Sequence, residues 1–453
     1  MIAHERLNAA INKSKFLYFI YIILSLSCSS LFADERLNYN NNVQCTQSDT
    51  SSLPLKIFIY QFLESHPSIQ AAKANVAAAN ARFHAAEQPL YNPELIAETE
   101  QKRQKSFKDP ELALEGEKPY EKTYTAGLNQ TVDWVSKRSA RSKVADRNFH
   151  IAESQLESLQ QQLATEVINA LIRYQSTRQV VKLSKERTSL LQKFVTLTEK
   201  REATGDVARV ETDLAQLALS EALAQQADAE MTFNQALQIL RSMTGLTNSE
   251  WPDLPNYLPS PSQMNTDFNE LLNCLPAVQV LNEQILSAQM RIKLAQRERF
   301  PDPTFGLQGG QENTDEGTKR VIMATFSIPL FIRNSYKAEV EAANFDTLEV
   351  EEKRIDMIRQ ISADMMGSSE RYQRLYQIVE EWQKIANKPL GDGITLIERL
   401  WQAGEMTTTD YLVQFKQRLD SQIAGAELRG RAWQAWAEWL KASGTVENWL
   451  KNN

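Results

Sequence analysis

The residue types that usually carry catalysis or hold metal ions do not cluster in this chain. Beyond the first 33 residues, the cysteines Cys45 and Cys274 and the histidines His66, His84 and His150 lie far apart. Their spacing fits no zinc site, and the sequence contains neither a phosphate-binding glycine loop nor a G-x-S-x-G motif. The sequence therefore supplies no catalytic, cofactor or metal site, and the two cysteines remain open to either a disulfide or free thiols.

One pair of acidic residues occupies matching positions in two similar stretches. Glu211 lies six residues after Gly205, and Asp410 lies six residues after Gly404. Carboxylates gathered around a pore attract cations and repel anions. Acids at a helix start also interact favourably with the helix dipole. Both interpretations, a charged ring and ordinary helix-start charges, are open at this point.

Two strand-like hairpins stand out in a sequence that otherwise predicts helices. One has strands at Pro93–Glu100 and Thr123–Thr131; the other spans Arg299–Arg333, with a polar loop at Gln311–Gly317 and a strand end at Pro329. Alternation with polar residues places one apolar set on one face of each second strand. This set comprises Tyr124, Ala126, Leu128, Ile322, Ala324, Phe326 and Ile328.

The helical stretches repeat around these hairpins and indicate an internal duplication. Each half reads as helix, hairpin, long helix, tip turn and return helix. In the first half the predicted helices cover residues 55–87, 134–200 and 207–243. In the second half a helix ends near 299, a long helix covers 336–401 with an interruption at 387–393, and a return helix ends at 443.

Domain boundaries follow from changes in composition. Lys13 and Lys15 precede an apolar run and Ala33 precedes Asp34, which predicts a secretory signal cleaved after Ala33, with an uncleaved anchor as the alternative. No lipid anchor is predicted at Cys28. The predicted segments are a signal peptide (1–33), an extended tail (34–54), repeat one (55–250), a proline-rich linker (251–267), repeat two (268–445) and a C-terminal tail (446–453).

Composition narrows the classes of function. A formal net charge of −7 argues against a nucleic-acid partner, and only 15 glycines and 15 prolines in 453 residues are typical of a helical protein. The predicted strands have the length that crosses a bilayer when tilted. Four strands cannot close a barrel, and open sheet edges do not occur in lipid, so a membrane barrel must be shared between chains. A periplasmic adaptor and a soluble coiled-coil protein are the alternatives.

Several motifs resemble those of one family, the TolC superfamily of outer-membrane efflux channels, and its CzcC-like heavy-metal (cobalt–zinc–cadmium) branch in particular. In the second half these are F-P-D-P-T-F-G-L and R-V-I-M-A-T-F-S-I-P-L-F-I-R-N; in the first half they are Y-N-P-E-L and G-L-N-Q-T-V-D-W-V-S-K-R-S-A-R. The stretches R-E-A-T-G-D-V-A-R-V-E-T-D-L and W-Q-A-G-E-M-T-T-T-D-Y-L resemble the two helical tips of the family. The resemblance covers nearly all of the chain beyond the signal.

The resemblance implies a mainly α fold with transmembrane β structure. Three chains would form a homotrimer with a twelve-stranded outer-membrane barrel above a long coiled-coil tunnel in the periplasm. The channel would passively conduct substrate, for this branch divalent heavy-metal cations, and would need no catalytic residue or cofactor. The implied partners are a periplasmic adaptor, an inner-membrane proton-driven pump and membrane lipid.

The resemblance also assigns roles to residues. It aligns Glu211 and Asp410 with the constriction of the tunnel. Drug-exporting members often carry an arginine two residues after the second tip glycine, where this chain has Met406. The expected adaptor-docking residues are Thr204, Gly205, Asp206, Ala403, Gly404 and Glu405. The expected lipid-facing residues are Ala126, Leu128, Ala324, Phe326 and Ile328.

Overall fold

The computed structural model describes residues 53–103, 120–247, 251–255, 257–261, 268–314, 317–386 and 390–451. These residues belong to one compact unit, Ser48–Asn453. The predicted signal peptide, most of the predicted extended tail, and Cys45 lie outside the described residues.

Each half contains the elements that the sequence predicts, in the same order. The first half consists of α1 (Leu53–Ser65), α2 (Pro67–Glu87), β1 (Glu94–Arg103), β2 (Tyr120–Thr131), α3 (Lys137–Thr204) and α4 (Arg209–Thr244). The second half consists of α5 (Phe268–Cys274), α6 (Pro276–Glu298), β3 (Thr304–Thr314), β4 (Gly317–Ser327), α7 (Lys337–Ala386), α8 (Leu390–Gln402), α9 (Thr408–Ser443) and α10 (Val446–Lys451).

The long helix α3 determines the scale of the molecule. It has 68 residues without an internal proline or glycine, so it is about 100 Å long at 1.5 Å per residue. Its start differs from the predicted residue 134 because the Asp133 carboxylate accepts hydrogen bonds from the backbone N–H groups of Lys137 and Arg138, at 2.7 and 2.8 Å. None of the helices in the described ranges is both long and apolar enough to cross a membrane.

The duplication is visible in the backbone itself. Left-handed residues occur in matched pairs immediately before the long helices, at the tip turns and after the return helices. These pairs are Ser136 and Tyr336 (φ 59° and 52°), Gly205 and Gly404 (83° and 76°), and Gly245 and Gly444 (both 70°). Left-handed residues that are not glycine are uncommon, so the pair before the long helices indicates that both halves make the same strand-to-helix junction.

The four strands form one antiparallel sheet in the order β1-β2-β3-β4. The contact between β2 and β3, where Leu128 lies opposite Leu307, joins the two halves. The prediction of a loop at Gln311–Gly317 is wrong, because the strands continue into it: Asn313 pairs with Thr318, and Thr314 pairs with Gly317. Backbone pairing continues through these polar residues, since a ladder does not depend on apolar side chains.

Other element boundaries also differ from the sequence prediction. The predicted helix 55–87 is broken at His66, whose Nδ1 accepts the Ser68 N–H and caps a helix that begins at Pro67. The predicted C-terminal tail is helical through Lys451, and Val446 and Leu450 are buried. Their burial in the main core stabilises a segment too short to form a helix alone.

The main core lies where α1, α3 and α9 meet. Large side chains from all three helices are nearly inaccessible there, including Ile59, Val167, Leu171, Trp433 and Trp436. The described part of the proline-rich linker packs on the same region: the Gln175 side chain donates to Pro252 O and accepts from Leu254 N. The core therefore holds both halves and their connection together.

Candidate functional site

One face of the sheet is apolar and exposed. Pairing places Leu95, Leu128, Leu307 and Ala324 in one row across all four strands. The rows on either side contain Phe305 with Phe326, and Gly309 with Ile322. Beyond Ile322, the next row carries Tyr124, Gln311 and Arg320. Leu307 is 63% and Ile322 is 82% exposed, so this face forms an uncovered apolar band.

The opposite face is polar. Thr125 and Gln308 are buried there, and the Thr125 hydroxyl donates to Gln308 Oε1 at 3.2 Å. Thr325 and Ser327 of β4 lie on this face with Asn129 of β2, because they alternate with the apolar set. The sheet thus separates an apolar surface from a polar one, which is the pattern of strands placed between lipid and a water-filled lumen.

Three glycines let the polar face bend inwards. A Cβ atom at Gly306 would lie 2.2 Å from Asn129 Oδ1 and from Thr325 Oγ1, so these neighbouring side chains close over the glycine. At Gly127 and Gly310 a Cβ atom would instead meet the backbone of the neighbouring strand first, and then the side chains of Gln308 and Thr125 respectively. Glycines at defined positions are a recognised device for curving a sheet. Their crowding on the polar side indicates that this side is the concave one.

The structure groups the expected lipid-facing residues largely as the sequence predicts. Ala126, Leu128, Ala324 and Phe326 share the apolar face. Ile328 lies one residue beyond Ser327, the last residue of β4, so it belongs to the connection towards α7 rather than to the strand. That these residues contact lipid remains a prediction.

The joint between sheet and helices contains a buried charge pair. Asp302 Oδ2 accepts hydrogen bonds from Lys137 Nζ at 2.9 Å and from the Tyr91 hydroxyl at 2.7 Å. The Asp302 and Lys137 side chains are 4% and 12% exposed. The hydrogen bond to Asp302, with burial, raises the pKa of Tyr91 to about 12. Trp134 Nε1 adds a bond of 2.8 Å to Pro301 O.

This joint links a turn of the second half to the helix start of the first half. The sequence shows Asp302 only as part of F-P-D-P, and its partners lie 211 and 165 residues away. Nothing in the local sequence indicates such a distant pairing, so the sequence does not predict that Asp302 binds Lys137 and Tyr91.

Replacing Asp302 by asparagine is expected to destabilise the folded protein by about 3–5 kcal/mol, because the Lys137 ammonium stays buried without its opposite charge. Adding Lys137→Met should recover most of the loss. The free energy of unfolding in detergent checks both results. Lys353→Gln is the control: it breaks an exposed pair with Glu349 and should change little. Equal losses in D302N and K353Q would contradict a special role for the buried pair.

The two tip turns share one geometry. Gly205 and Gly404 adopt the left-handed conformation, and each turn is closed by backbone hydrogen bonds: Asp206 N to Arg201 O at 2.9 Å, and Glu405 N to Leu400 O at 3.0 Å. These bonds satisfy carbonyls that the helix end leaves unpaired. The six expected docking residues, Thr204, Gly205, Asp206, Ala403, Gly404 and Glu405, are all exposed.

A basic residue from the first half contacts the second tip. Arg201 Nη2 donates to Gln402 O at 2.8 Å, and its guanidinium lies 4.6 Å from the ring centroid of Trp401. A cation at these carbonyls complements the negative end of α8. Met406 packs against the apolar tip cluster that includes Trp401. Because Arg201 and Gln402 are 201 residues apart, the sequence around Met406 could not predict this contact.

The two acidic residues take part in hydrogen bonds at helix starts. Glu211 Oε2 accepts the Thr408 hydroxyl, which ties the first tip to the second. Asp410 N donates to Thr407 Oγ1 at 3.1 Å, and that hydroxyl donates to Asp410 Oδ2 at 2.8 Å. Asp410 is exposed, whereas Glu211 is half-buried. The constriction remains a prediction for both, with Asp410 the more accessible charge.

Aromatic packing holds the two tips together. The Phe194 ring lies 4.8 Å from Trp401 and 4.6 Å from Tyr411, centroid to centroid. Burial raises the pKa of Tyr411 above its ordinary value. The Arg187 side chain, 5% exposed, binds Asp420 at 2.9 Å further along the same helices. The first-half and second-half helices are therefore cross-linked near their ends.

Side chains that could bind a metal ion do not gather in one place in the described ranges. There, no group of three or more His, Cys, Asp or Glu side chains is arranged to hold a metal ion. Cys274 is exposed and forms no disulfide with any residue of these ranges, and Cys45 lies outside them.

A sheet with one apolar and one polar face, mounted on a bundle whose longest helix, α3, is about 100 Å long, defines a class of protein. It is the subunit of a membrane channel extended by a helical conduit.

Comparisons with known proteins agree with this class and confirm the resemblance. Residues 58–246 match the family Outer membrane efflux protein. The chain is 22% identical over 298 residues to the cobalt-zinc-cadmium resistance protein CzcC of Cupriavidus metallidurans (65% of this chain, 70% of CzcC). It is 24% identical over 308 residues to the nickel-cobalt-cadmium resistance protein NccC of Alcaligenes xylosoxydans xylosoxydans (68% and 67%).

The fold is that of a solved outer-membrane channel. The Campylobacter jejuni CmeC structure superimposes with a TM-score of 0.69 at 13% identity, covering 95% of this chain and 98% of CmeC. The chain therefore resembles outer membrane efflux proteins over residues 58–246 and has the fold of an outer-membrane channel. A periplasmic adaptor and a soluble coiled-coil protein are set aside, because residues 58–246 match a family of outer membrane efflux proteins and the fold is that of a channel.

Proposed function

We propose that three copies of this chain form a closed twelve-stranded barrel that passively conducts substrate through the outer membrane. One observation carries the proposal: the sheet has an exposed apolar face and a polar face, yet β1 and β4 each pair on one side only within the described chain. Open edges do not occur in lipid, and known barrels have at least eight strands. A barrel of several copies satisfies both constraints.

Membrane fractionation and mass measurement in mild detergent test the proposal. We expect the protein in the outer-membrane fraction at the mass of three chains. A monomer in the soluble periplasmic fraction would overturn it.

The helix tips support a role in docking a periplasmic adaptor, and through it an inner-membrane proton-driven pump. Both turns expose all their residues, including the charged Asp206 and Glu405. The aromatic cluster around Phe194 and Trp401 keeps the two turns side by side. Two rigid, exposed turns held at a common level form a suitable surface for a partner protein.

Heavy-metal cations are the proposed substrate class. CzcC and NccC are resistance proteins for cobalt and cadmium, with zinc or nickel in addition. In this chain the exposed Asp410 carboxylate accepts the Thr407 hydroxyl, and the next residue, Thr408, donates its hydroxyl to Glu211 of the first half. Three copies would contribute six such carboxylates around the tunnel axis, which favours cations over anions.

The double variant Asp410→Asn with Glu211→Gln is expected to reduce the cation-to-anion permeability ratio and to weaken block by multivalent cations. The glutamine oxygen still accepts the Thr408 hydroxyl, so the tip contact remains. Planar-bilayer recordings measure both properties, with Asp346→Asn on the exposed surface of α7 as a control for net charge. Unchanged selectivity and block in the double variant would leave the two acids as ordinary helix-start charges.

A further inference from the structure

Charged residues are sorted between the two faces of the sheet. Lys122 of β2 and Arg320 of β4 lie on the apolar face, in line with Leu128 and Ala324 along their strands, and both are exposed. The glutamates of the described strand residues all lie on the polar face; they are Glu94, Glu98, Glu100, Glu121 and Glu312. The described part of the apolar face therefore carries positive charge and no carboxylate.

Basic residues on the polar face have acidic neighbours. Lys102 lies opposite Glu121 in the pairing of β1 with β2, and its Nζ is 3.1 Å from Glu100. Lys319 lies opposite Glu312 in the pairing of β3 with β4. The positive charges of this face are thus compensated within the sheet itself.

On the apolar face the residues opposite the two basic residues are uncharged. Lys122 lies between Gln101 and Asn313, and Arg320 lies opposite Gln311. The glutamates next to these positions along the strands point to the other face, because side chains alternate. An anion that approaches the apolar face from outside would therefore meet positive charge without a carboxylate from the described strands on that face.

Both basic residues lie at the end of the apolar band that is far from the helices. Lys122 is six residues from Leu128, and Arg320 is four residues from Ala324; Leu128 and Ala324 belong to the middle row. At about 3.4 Å per residue and a strand tilt of about 40°, these separations place them about 15 and 10 Å above the middle of the band. The hydrocarbon core of a bilayer ends about 15 Å from its centre. Lys122 thus reaches the headgroup level, and the long Arg320 side chain can extend to it.

We propose that Lys122 and Arg320, with Tyr124 between them, bind the phosphorylated headgroup of a glycolipid in the outer leaflet of the outer membrane. In the proposed channel the helices extend into the periplasm, so the far end of the band lies in that leaflet. Arginine binds phosphate through two parallel hydrogen bonds, and lysine binds it as a point charge. The inference rests on the proposed barrel and adds the lipid that its outer end selects.

The aromatic residue at this level supports the same assignment. Tyr124 shares a row with Arg320, is two residues from Lys122 along β2, and is 49% exposed. Tyrosine favours the boundary between hydrocarbon and headgroups, because its ring is apolar and its hydroxyl is polar. The ring would therefore lie beside the acyl chains while the two cations contact the headgroup above it.

The spacing of the two cations suits a headgroup with more than one phosphate. One strand, β3, lies between β2 and β4, so Lys122 and Arg320 are about 10 Å apart across the sheet. They are also one row apart along the strands. The acyl chains of the same lipid would cover the apolar band below, where Ile322 is 82% exposed.

Native mass spectrometry of the purified full chain in mild detergent tests the proposal, with lipid A as the probe. We expect the trimer to bind this diphosphorylated glycolipid more tightly than the same glycolipid after removal of both phosphates. The double variant Lys122→Gln with Arg320→Gln should bind lipid A about 20-fold more weakly, because each basic residue at an anionic lipid surface contributes about fivefold in affinity.

A matched variant controls for net charge. Lys102→Gln with Lys319→Gln removes two positive charges at a similar level, but from the polar face, and should leave the affinity for lipid A unchanged. Lys122→Arg with Arg320→Lys keeps both charges in place and should retain binding. The three variants together separate the position of the charge from its amount.

Three results would overturn the lipid site: equal losses in the two double glutamine variants, equal affinity for lipid A with and without its phosphates, or displacement of lipid A by an excess of inorganic phosphate. The last result would mean that the surface selects a free anion rather than a lipid. The same spectra count the chains in each particle. A protein that remains monomeric would overturn the proposed barrel, whereas trimers that do not distinguish the phosphates would overturn only the lipid site.

Discussion

Arginine at Ala324 is expected to reduce sharply the amount of trimer assembled in the outer membrane, while arginine at the adjacent Thr325 leaves most of it intact. Ala324 lies in the middle row of the apolar band, with Leu95, Leu128 and Leu307 in line with it. An arginine facing lipid at mid-depth costs about 2–4 kcal/mol. A barrel of three copies would contain three such arginines, so this cost would apply three times. Thr325 faces the polar side, where a charged side chain remains in water.

The quantity of heat-dissociable trimer in washed outer membranes measures this difference. Phe326→Arg and Ser327→Arg form a second matched pair nearer the end of β4. We expect a smaller gap between them, since the cost of a charge falls towards the membrane interface. Equal assembly of the Ala324 and Thr325 variants would contradict the assignment of the two faces.

The alternation that identifies these faces is readable from sequence, because it needs only neighbouring residues. Ala126, Leu128, Ala324 and Phe326 are placed correctly on one face by period two alone. The tip glycines can also be predicted from the sequence, since a break in a long helical pattern indicates a turn. The position of each residue along the membrane normal cannot be predicted in this way, because it depends on how the four strands align. Only the rows of paired residues across the sheet show that Ala324 lies nearer the middle of the apolar band than Phe326.

Features that join distant parts of the chain could not be predicted in this way. Arg201 reaches Gln402 across 201 residues, and Lys137 reaches Asp302 across 165. Each residue looks like an ordinary surface charge in its own segment. The helical ending at residues 446–451 has the same origin, because burial of Val446 and Leu450 against the main core decides it. Tertiary contact, rather than local propensity, determines these features.

Valine at Gly404 is expected to abolish export while trimers still form. Gly404 has φ +76°, and a Cβ atom there would meet no heavy atom within 4 Å. A clash therefore cannot cause the effect, and only the backbone conformation is altered. A β-branched residue is strongly disfavoured in the left-handed region, at a cost of about 1–3 kcal/mol. The turn at Ala403–Glu405 would then relax, and the exposed docking surface would lose its shape far from the strands.

Two further variants separate this cause from others. Gly404→Asn should retain most export, because asparagine tolerates the left-handed conformation. Gly367→Val places the same side chain in open space on the helical surface of α7, where no left-handed backbone is needed, and should also retain export. Metal tolerance of cells lacking the native channel gene reports export, and mass in mild detergent reports the trimer. Because the sheet lies at the other end of α7 and α8, a loss of trimers in Gly404→Val would show that the turn supports folding rather than docking, and full export in that variant would contradict the tip assignment altogether.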